Sequence, residues 1–190
     1  MSPNSLSIIK VLFLYGSLSF IFSLLGLLHP DSYLIGNPFE VSSVSIEHLL
    51  GHVIWGLVIG CFAFGFRYLI FAGLFPLILD SDHFVQFFGI DAFPRIAHSI
   101  IFSIIAALFF FFIYKNRDYK LVTISFVSVF SHISFDVFLG SGSKFPLLFP
   151  LNLNMFYIPF EAWFYLELLS VISMIIVSSL VYKKKLCSQI

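Results

Sequence analysis

Long apolar runs dominate the sequence and leave few positions for charge. Six apolar segments follow one another along the 190 residues, at 8–28, 48–66, 68–79, 96–114, 121–139 and 161–182. Charged residues make up 11% of the chain, whereas soluble domains carry about 25%. A helix of about 20 apolar residues spans a bilayer, because its backbone polar groups are all bonded internally. The pattern predicts an all-α integral membrane protein, with residues 1–190 forming a single membrane domain of about six transmembrane helices.

The third apolar segment, at 68–79, differs from the others in length. It has only about a dozen residues, fewer than the ~20 that span a bilayer upright. Pro76 would also kink it, since proline has no N–H to donate within a helix. We expect one short or broken helix here, followed by a polar connection over residues 80–95. For the second apolar segment, at 48–66, Ser45 is the predicted N-cap of the helix. Gly56 and Gly60 within this segment predict a close contact with another helix.

Segment 140–159 is apolar but rich in residues that disfavour a helix. It contains Gly140, Gly142, Pro146 and Pro150, which permit or impose irregular backbone. Irregular backbone at membrane depth is tolerated only where protein or a water-filled cavity surrounds it. The segment is therefore predicted to fold back over the mouth of the bundle near Asp136.

Lysine and arginine are distributed unevenly between the two predicted sides of the membrane. With six spans and an inner N-terminus, eight of these residues fall on the cytoplasmic side and two on the other. The positive-inside rule therefore predicts a multi-pass protein of the cell membrane with both termini in the cytoplasm. The inner set is Lys10, Arg67, Lys115, Arg117, Lys120, Lys183, Lys184 and Lys185, and the outer set is Arg95 and Lys144.

Histidine and aspartate collect at the outer ends of the predicted spans. Ionisable residues in or beside membrane segments are costly, so each is a candidate functional residue. His132 and Asp136 are four residues apart, as are His48 and His52, and this spacing places each pair on one helix face. The sequence leaves open whether His48 or His52 is the ligand. The predicted metal ligands are His52, Asp80, Asp82, His98, His132 and Asp136.

These residue types suggest a divalent metal site. A catalytic zinc takes three protein ligands from His and Asp or Glu and keeps one position for water, and the residues suffice for one ion or two. Mixed imidazole and carboxylate ligands suit Zn²⁺ or Mn²⁺. His83 and Arg95 are the predicted catalytic residues, Arg95 because its charge would meet a substrate phosphate. The alternative for Arg95 is an ion pair with Asp91 or Asp82.

The motifs resemble those of a known family over roughly residues 48–150. Three elements carry the resemblance: Asp80-x-Asp82-His83, His98-Ser99, and Ser131-His132-x3-Asp136 followed by Gly142 and Pro146-Leu-Leu-Phe-Pro150. They are similar to the LexA-regulated, inner-membrane family of proposed metal-dependent hydrolases. His52-x3-Gly56-x3-Gly60 resembles that family's first histidine helix. The order of ligands also resembles helical zinc phospholipase C enzymes, which implies as one metal's ligands Asp80 or Asp82, His98, His132 and Asp136.

The resemblance implies metal-dependent hydrolysis, with a phosphoester as the bond cleaved. A catalyst embedded in the membrane suggests a lipid or lipid-linked substrate at the extracytoplasmic face. A formal net charge of zero argues against a nucleic acid partner, which requires a clustered basic surface. The chain departs from the family pattern at Leu79, where proline is usual, and in the residues leading to His98. Two alternatives therefore stay open: a transporter for a divalent metal or protons, and a structural subunit that has lost hydrolase activity.

Overall fold

A computed structural model describes residues 3–29, 45–88, 93, 95–114 and 118–187. Apart from one two-stranded hairpin, the regular elements in these ranges are helices, which confirms the predicted all-α fold. Asp91, Lys115 and Arg117, named above, lie outside the described ranges. The elements are α1 (Pro3–Ser23), a 3-10 helix (Leu24–Leu28), α2 (Ile46–Cys61), α3 (Phe66–Leu79), a second 3-10 helix (Asp80–Phe88), α4 (Ile100–Ile113), α5 (Tyr119–Leu139), β1 (Ser143–Phe145), β2 (Phe156–Ile158) and α6 (Ala162–Cys187).

Four helical segments within the described ranges are long and apolar enough to cross a membrane, which supports a membrane protein. They are Ser7–Leu28, Phe66–Val85, Tyr119–Leu139 and Ala162–Lys184. The other two of the six expected spans are shorter apolar helices, α2 with 16 residues and α4 with 14. At 1.5 Å per residue these two measure about 24 and 21 Å, less than the ~30 Å hydrocarbon core. The orientation of the chain stays a prediction.

Side-chain caps and one proline set the helix ends near the histidines. As predicted, Ser45 caps α2, its hydroxyl accepting a hydrogen bond from the His48 N–H at 3.2 Å. Ser99 caps α4 in the same way, so α4 begins later than its apolar segment. After Pro76 the Asp80 N–H bonds to the Leu77 carbonyl, three residues back. The chain therefore continues as a 3-10 helix over Asp80–Phe88, where a polar connection was expected.

Helices α2 and α3 pack in close backbone contact, which confirms the contact predicted from Gly56 and Gly60. A Cβ atom on Gly56 would overlap the carbonyl oxygen of Ala72 in α3. A Cβ atom on Gly60 would lie 3.0 Å from the Cα atom of Leu69. The two glycines thus hold the helix that carries His48 and His52 against the helix that ends at Asp80.

Replacing Gly56 by alanine is expected to destabilise the bundle. The added methyl group meets backbone rather than a flexible side chain, so α2 and α3 must move apart; overpacking of this kind costs about 1–3 kcal/mol or more. That cost exceeds the ~1 kcal/mol gained in helix propensity. Thermal unfolding in detergent measures the difference. Gly73→Ala is the matched control, because its Cβ would meet the Leu57 side chain at 3.0 Å, and the nearest backbone atom, the Val53 carbonyl oxygen, lies at an ordinary contact distance of 3.7 Å. Equal stability of the two variants would contradict the close contact.

Segment 140–159 packs on the bundle, as expected, but contains a short hairpin that the sequence did not indicate. β1 pairs antiparallel with β2. Phe145 and Phe149 are buried, and the Ile100 N–H donates to the Leu147 carbonyl oxygen at 2.9 Å. The Ser143 hydroxyl reaches the Asp136 carbonyl oxygen at 3.4 Å. The segment therefore lies against the start of α4 and the end of α5, where three of the predicted ligands are found: His98, His132 and Asp136.

Candidate metal centre

The histidine and aspartate residues singled out in the sequence form one cluster, called the His/Asp centre below. The start of α2, the Asp80–Phe88 3-10 helix, the turn before α4 and the end of α5 contribute to it. His52, His98 and His132 are fully buried. The His98 and His132 ring centres are 4.4 Å apart, and the His52 and His132 rings stack at 3.7 Å. Its members are His48, His52, Asp80, Asp82, His83, His98, His132 and Asp136, and subsets of them could hold a metal ion.

A first set of donor atoms comes from His98, His132, Asp80 and Asp136. His132 Nε2 lies 3.4 Å from Asp80 Oδ1 and 3.6 Å from Asp136 Oδ2. His98 Nε2 lies 3.8 Å from each of the same two oxygens. Two ligand atoms that each lie about 2.0–2.2 Å from a tetrahedral zinc are about 3.3–3.6 Å apart. The four nitrogen–oxygen distances of this set are therefore close to those between ligands of one ion. Three groups have donor atoms that all lie within 4.8 Å of one another: Asp80 with Asp82, His83 and His98; His48 with His52 and Asp80; and His52 with His132 and Asp136.

A second set uses the other oxygens of the same two carboxylates. His52 Nε2 lies 3.4 Å from Asp136 Oδ1 and 3.8 Å from Asp80 Oδ2. His48 Nε2 lies 3.4 Å from Asp136 Oδ1 and 2.9 Å from His52 Nε2. The structure therefore brings both histidines of α2 to the centre, although the sequence left the choice between them open. Asp80 and Asp136 each direct one carboxylate oxygen to the first set and the other oxygen to the second set.

Hydrogen bonds from Nδ1 fix two of the imidazole rings. His98 Nδ1 lies 3.1 Å from Asp82 Oδ2, and His132 Nδ1 lies 2.7 Å from the Pro76 carbonyl oxygen. Because both partners accept hydrogen bonds, each Nδ1 carries a proton. In the neutral form of each ring, the lone pair of Nε2 is then directed at the centre. Metal-binding histidines are oriented in this way by their surroundings. The geometry gives Asp82 such an orienting contact through Oδ2, while its Oδ1 faces His83.

Sequence reasoning missed the role of the Pro76 carbonyl. In a continuous α-helix the Pro76 carbonyl oxygen would accept a hydrogen bond from the Asp80 N–H. Because the helix tightens at Asp80, that N–H bonds to a later carbonyl instead, and the Pro76 carbonyl oxygen accepts from His132. The sequence did contain a sign of an altered helix here, since Pro76 lies four residues before Asp80, the first aspartate of the centre. What the sequence did not show was that a histidine 56 residues away would take up the bond.

Several buried side-chain nitrogen and oxygen atoms of the centre have no hydrogen-bond partner among the described residues. Leaving such an atom unpaired costs about 1–3 kcal/mol. Six such atoms together would cost about as much as the whole net stability of a typical domain, about 5–15 kcal/mol. A metal ion satisfies lone pairs of this kind, so the residues fit a metal. The six atoms are His52 Nδ1, Asp80 Oδ2, Asp82 Oδ1, His98 Nε2, His132 Nε2 and Asp136 Oδ1.

Aromatic rings enclose the α2 side of the centre. The Phe135 ring lies 4.9 Å from the His52 ring and 5.8 Å from the His48 ring. It reaches this position because residue 51 is glycine, whose Cβ atom, if present, would overlap the ring. Trp55 packs on Phe135 from the other side, with ring centres 5.0 Å apart. These aromatic rings therefore form an apolar wall beside the second donor set.

The two residues predicted as catalytic lie at the edge of the centre. His83 Nε2 is 3.7 Å from both Asp80 Oδ1 and Asp82 Oδ1. The Arg95 guanidinium lies 5.5 Å above the Phe145 ring, and that ring stacks on His98 at 5.9 Å. Arg95 is therefore at the rim rather than among the donor atoms. Its proposed pairing with Asp91 involves a residue outside the described ranges.

Together, the fold and the centre define an all-α membrane protein with a buried histidine and aspartate cluster that could hold a metal ion. Comparison with known proteins found no matching family model, no matching curated protein and no matching solved structure. The geometry of the centre is therefore the basis on which a function is proposed.

Proposed function

We propose that this protein is a membrane-embedded, metal-dependent hydrolase that cleaves a phosphoester of a lipid or lipid-linked substrate. The observation that carries the proposal is the sharing of Asp80 and Asp136 between two adjacent donor sets. Asp80 and Asp136 would help to hold two ions, and a two-metal site would suit phosphoryl transfer because it can stabilise both the attacking and the leaving oxygen. The mixed imidazole and carboxylate donors favour Zn²⁺ or Mn²⁺.

Four residues in or beside the centre have distinct parts in this proposal. When bound, the metal supplies Lewis-acid chemistry and makes water a stronger nucleophile at neutral pH. Asp80 and Asp136 join the two donor sets. His83, at the edge of the first set, is placed to pass a proton to the leaving oxygen. Arg95, at the rim, would form charge-assisted hydrogen bonds with the substrate phosphate.

The position of the centre suits a substrate that stays in the bilayer. Its residues come from the same end of α2, α3 and α5, the end that the positive-inside rule predicts to be extracytoplasmic. Charged side chains at this depth face the bundle interior, in keeping with a functional site. We therefore place the reaction at the extracytoplasmic face of the cell membrane.

A hydrolysis assay on purified protein tests the proposal. Phosphate release from phosphorylated lipids in mixed micelles should require added Zn²⁺ or Mn²⁺, stop with a chelator and resume when metal is returned. The transporter alternative is tested in liposomes with a metal-sensitive dye and a pH-sensitive dye. Metal or proton flux without turnover of any phosphoester would overturn the hydrolase proposal in favour of a transporter.

A further inference from the structure

An apolar groove of about 720 Å³ runs along α1 to the His/Asp centre. The groove is lined by Leu12 and Phe13 of α1, Leu49 of α2, and Leu77 and Ile78 of α3. The volume lies within the ~300–1,000 Å³ range of sites that bind small ligands. Of the four polar lining residues, two are serines and two belong to the centre: Ser17, Ser81, Asp80 and His83.

The dimensions of the groove match a hydrocarbon chain in one leaflet. Its α1 lining extends from Ile9 to Phe20, which is about 17 Å of helix at 1.5 Å per residue. Half of the ~30 Å hydrocarbon core is about 15 Å. Phe13, which lines the groove, is largely exposed. The groove is therefore open towards the surroundings of the bundle. A lipid chain could therefore enter from the side, without leaving the membrane.

The groove also reaches the place where a head group would need to be. Ser81 donates to the Gly16 carbonyl oxygen at 3.0 Å, so this serine ties α1 to the 3-10 helix. Asp80 and His83, on either side of this serine in the sequence, also line the groove, and both belong to the donor clusters of the centre. A chain lying against α1 would thus hold a group attached to its end beside those two residues.

We propose that this groove binds one acyl or prenyl chain of a lipid whose head group is a phosphoester held at the His/Asp centre. The inference rests on the proposed function for its head group but adds the chain-binding site. A substrate with a long hydrocarbon chain is selected because the groove contributes apolar burial, about 25 cal/mol per Å² of area removed from water. Soluble phosphoesters without a chain would lack this contribution.

Photolabelling tests the groove without requiring hydrolysis. The probe is a phosphorylated lipid with a diazirine in its hydrocarbon chain, incubated with the full chain in detergent and irradiated. Cross-linked peptides are expected from residues 9–20 and 77–84. Excess unlabelled long-chain lipid phosphate should compete, whereas inorganic phosphate should not. Equal labelling of the exposed face of α6, unaffected by competitor, would overturn the proposal.

Variants that fill the groove sharpen the test. Ser17→Trp should lower groove labelling about tenfold, the effect of losing burial for about two CH₂ groups. Ser17→Ala should leave labelling unchanged, since it keeps the space. Ile176→Trp on α6 is the matched control, because Ile176 is 53% exposed and lies outside the groove. Unchanged labelling of a folded Ser17→Trp protein would contradict the inference.

The outcomes separate this inference from the proposed function. Specific groove labelling without phosphate release would keep the lipid site and reject hydrolysis. Phosphate release at equal rates from long-chain lipids and soluble phosphoesters, insensitive to Ser17→Trp, would keep the hydrolase and reject the groove. A disulfide dimer formed through Phe13→Cys would show a second copy of the chain on the groove, and would also overturn the lipid site.

Discussion

Asp136→Asn is expected to lower the metal affinity of the protein by more than 100-fold. Both donor sets use this carboxylate, with Oδ1 facing His48 and His52 and Oδ2 facing His98 and His132. Asparagine keeps the size of the side chain but removes the charge and one acceptor oxygen. Loss of a contact that merely supports a ligand costs about 10–100-fold, so loss of a shared ligand should cost more.

Thermal stability provides a readout of this change that is independent of activity. A ligand that binds only the folded state stabilises it by about 2.7 kcal/mol at 100 times its dissociation constant. Added Zn²⁺ should therefore raise the unfolding temperature of the unmodified protein but not that of Asp136→Asn. Asp118→Asn is the matched control, since Asp118 caps the other end of α5 and asparagine can also cap a helix. An equal response of Asp136→Asn and Asp118→Asn to zinc would contradict the shared-ligand assignment.

Two substitutions of His132 should separate its metal-binding role from its structural role. His132→Asn places an amide nitrogen near the position of Nδ1, so it can keep the hydrogen bond to the Pro76 carbonyl while the Nε2 ligand is lost. His132→Ala removes both and leaves that buried carbonyl oxygen unpaired, at a cost of about 1–3 kcal/mol. Both variants should lose metal binding and activity, but only His132→Ala should unfold earlier in metal-free buffer.

The comparison of the two His132 variants needs metal titration and unfolding measured on the same preparations. We expect His132→Asn to unfold within ~0.5 kcal/mol of the metal-free parent protein, the range typical of substitutions that break no buried contact. Full metal binding by a folded His132→Asn protein would show that Nε2 is not a ligand. That result would remove His132 from the first donor set.

Much of the fold was predictable because hydropathy and helix caps are local signals. The apolar segments became helices, Ser45 caps α2 as expected, and Gly56 marks the close contact with α3. Elements that depend on distant partners could not be read in the same way. The hairpin of β1 and β2 has three-residue strands, too short to leave a pattern, and α4 begins only at Ile100 because the preceding turn is irregular. The single-domain assignment stays a prediction.

The centre was predictable in composition but not in geometry. Spacing of four residues placed His132 and Asp136 on one helix face, and the structure brings them together with Asp80. The sequence could not distinguish a ligand from an orienting residue, because that depends on side-chain direction. Asp82 illustrates this, since one of its oxygens bonds to His98 Nδ1 while the residue also belongs to a group that could hold a metal ion. Nor could it reveal the groove along α1, which arises only when three helices pack.

Metal content of the purified protein tests the central claim most directly. The chain should be purified in detergent without a histidine tag, equilibrated with Zn²⁺ or Mn²⁺, freed of loose metal by gel filtration and analysed by inductively coupled plasma mass spectrometry. The shared carboxylates predict two ions per chain, and a paired preparation of the Asp136→Asn variant should retain far less. A protein that retains no more metal than this variant would contradict the account.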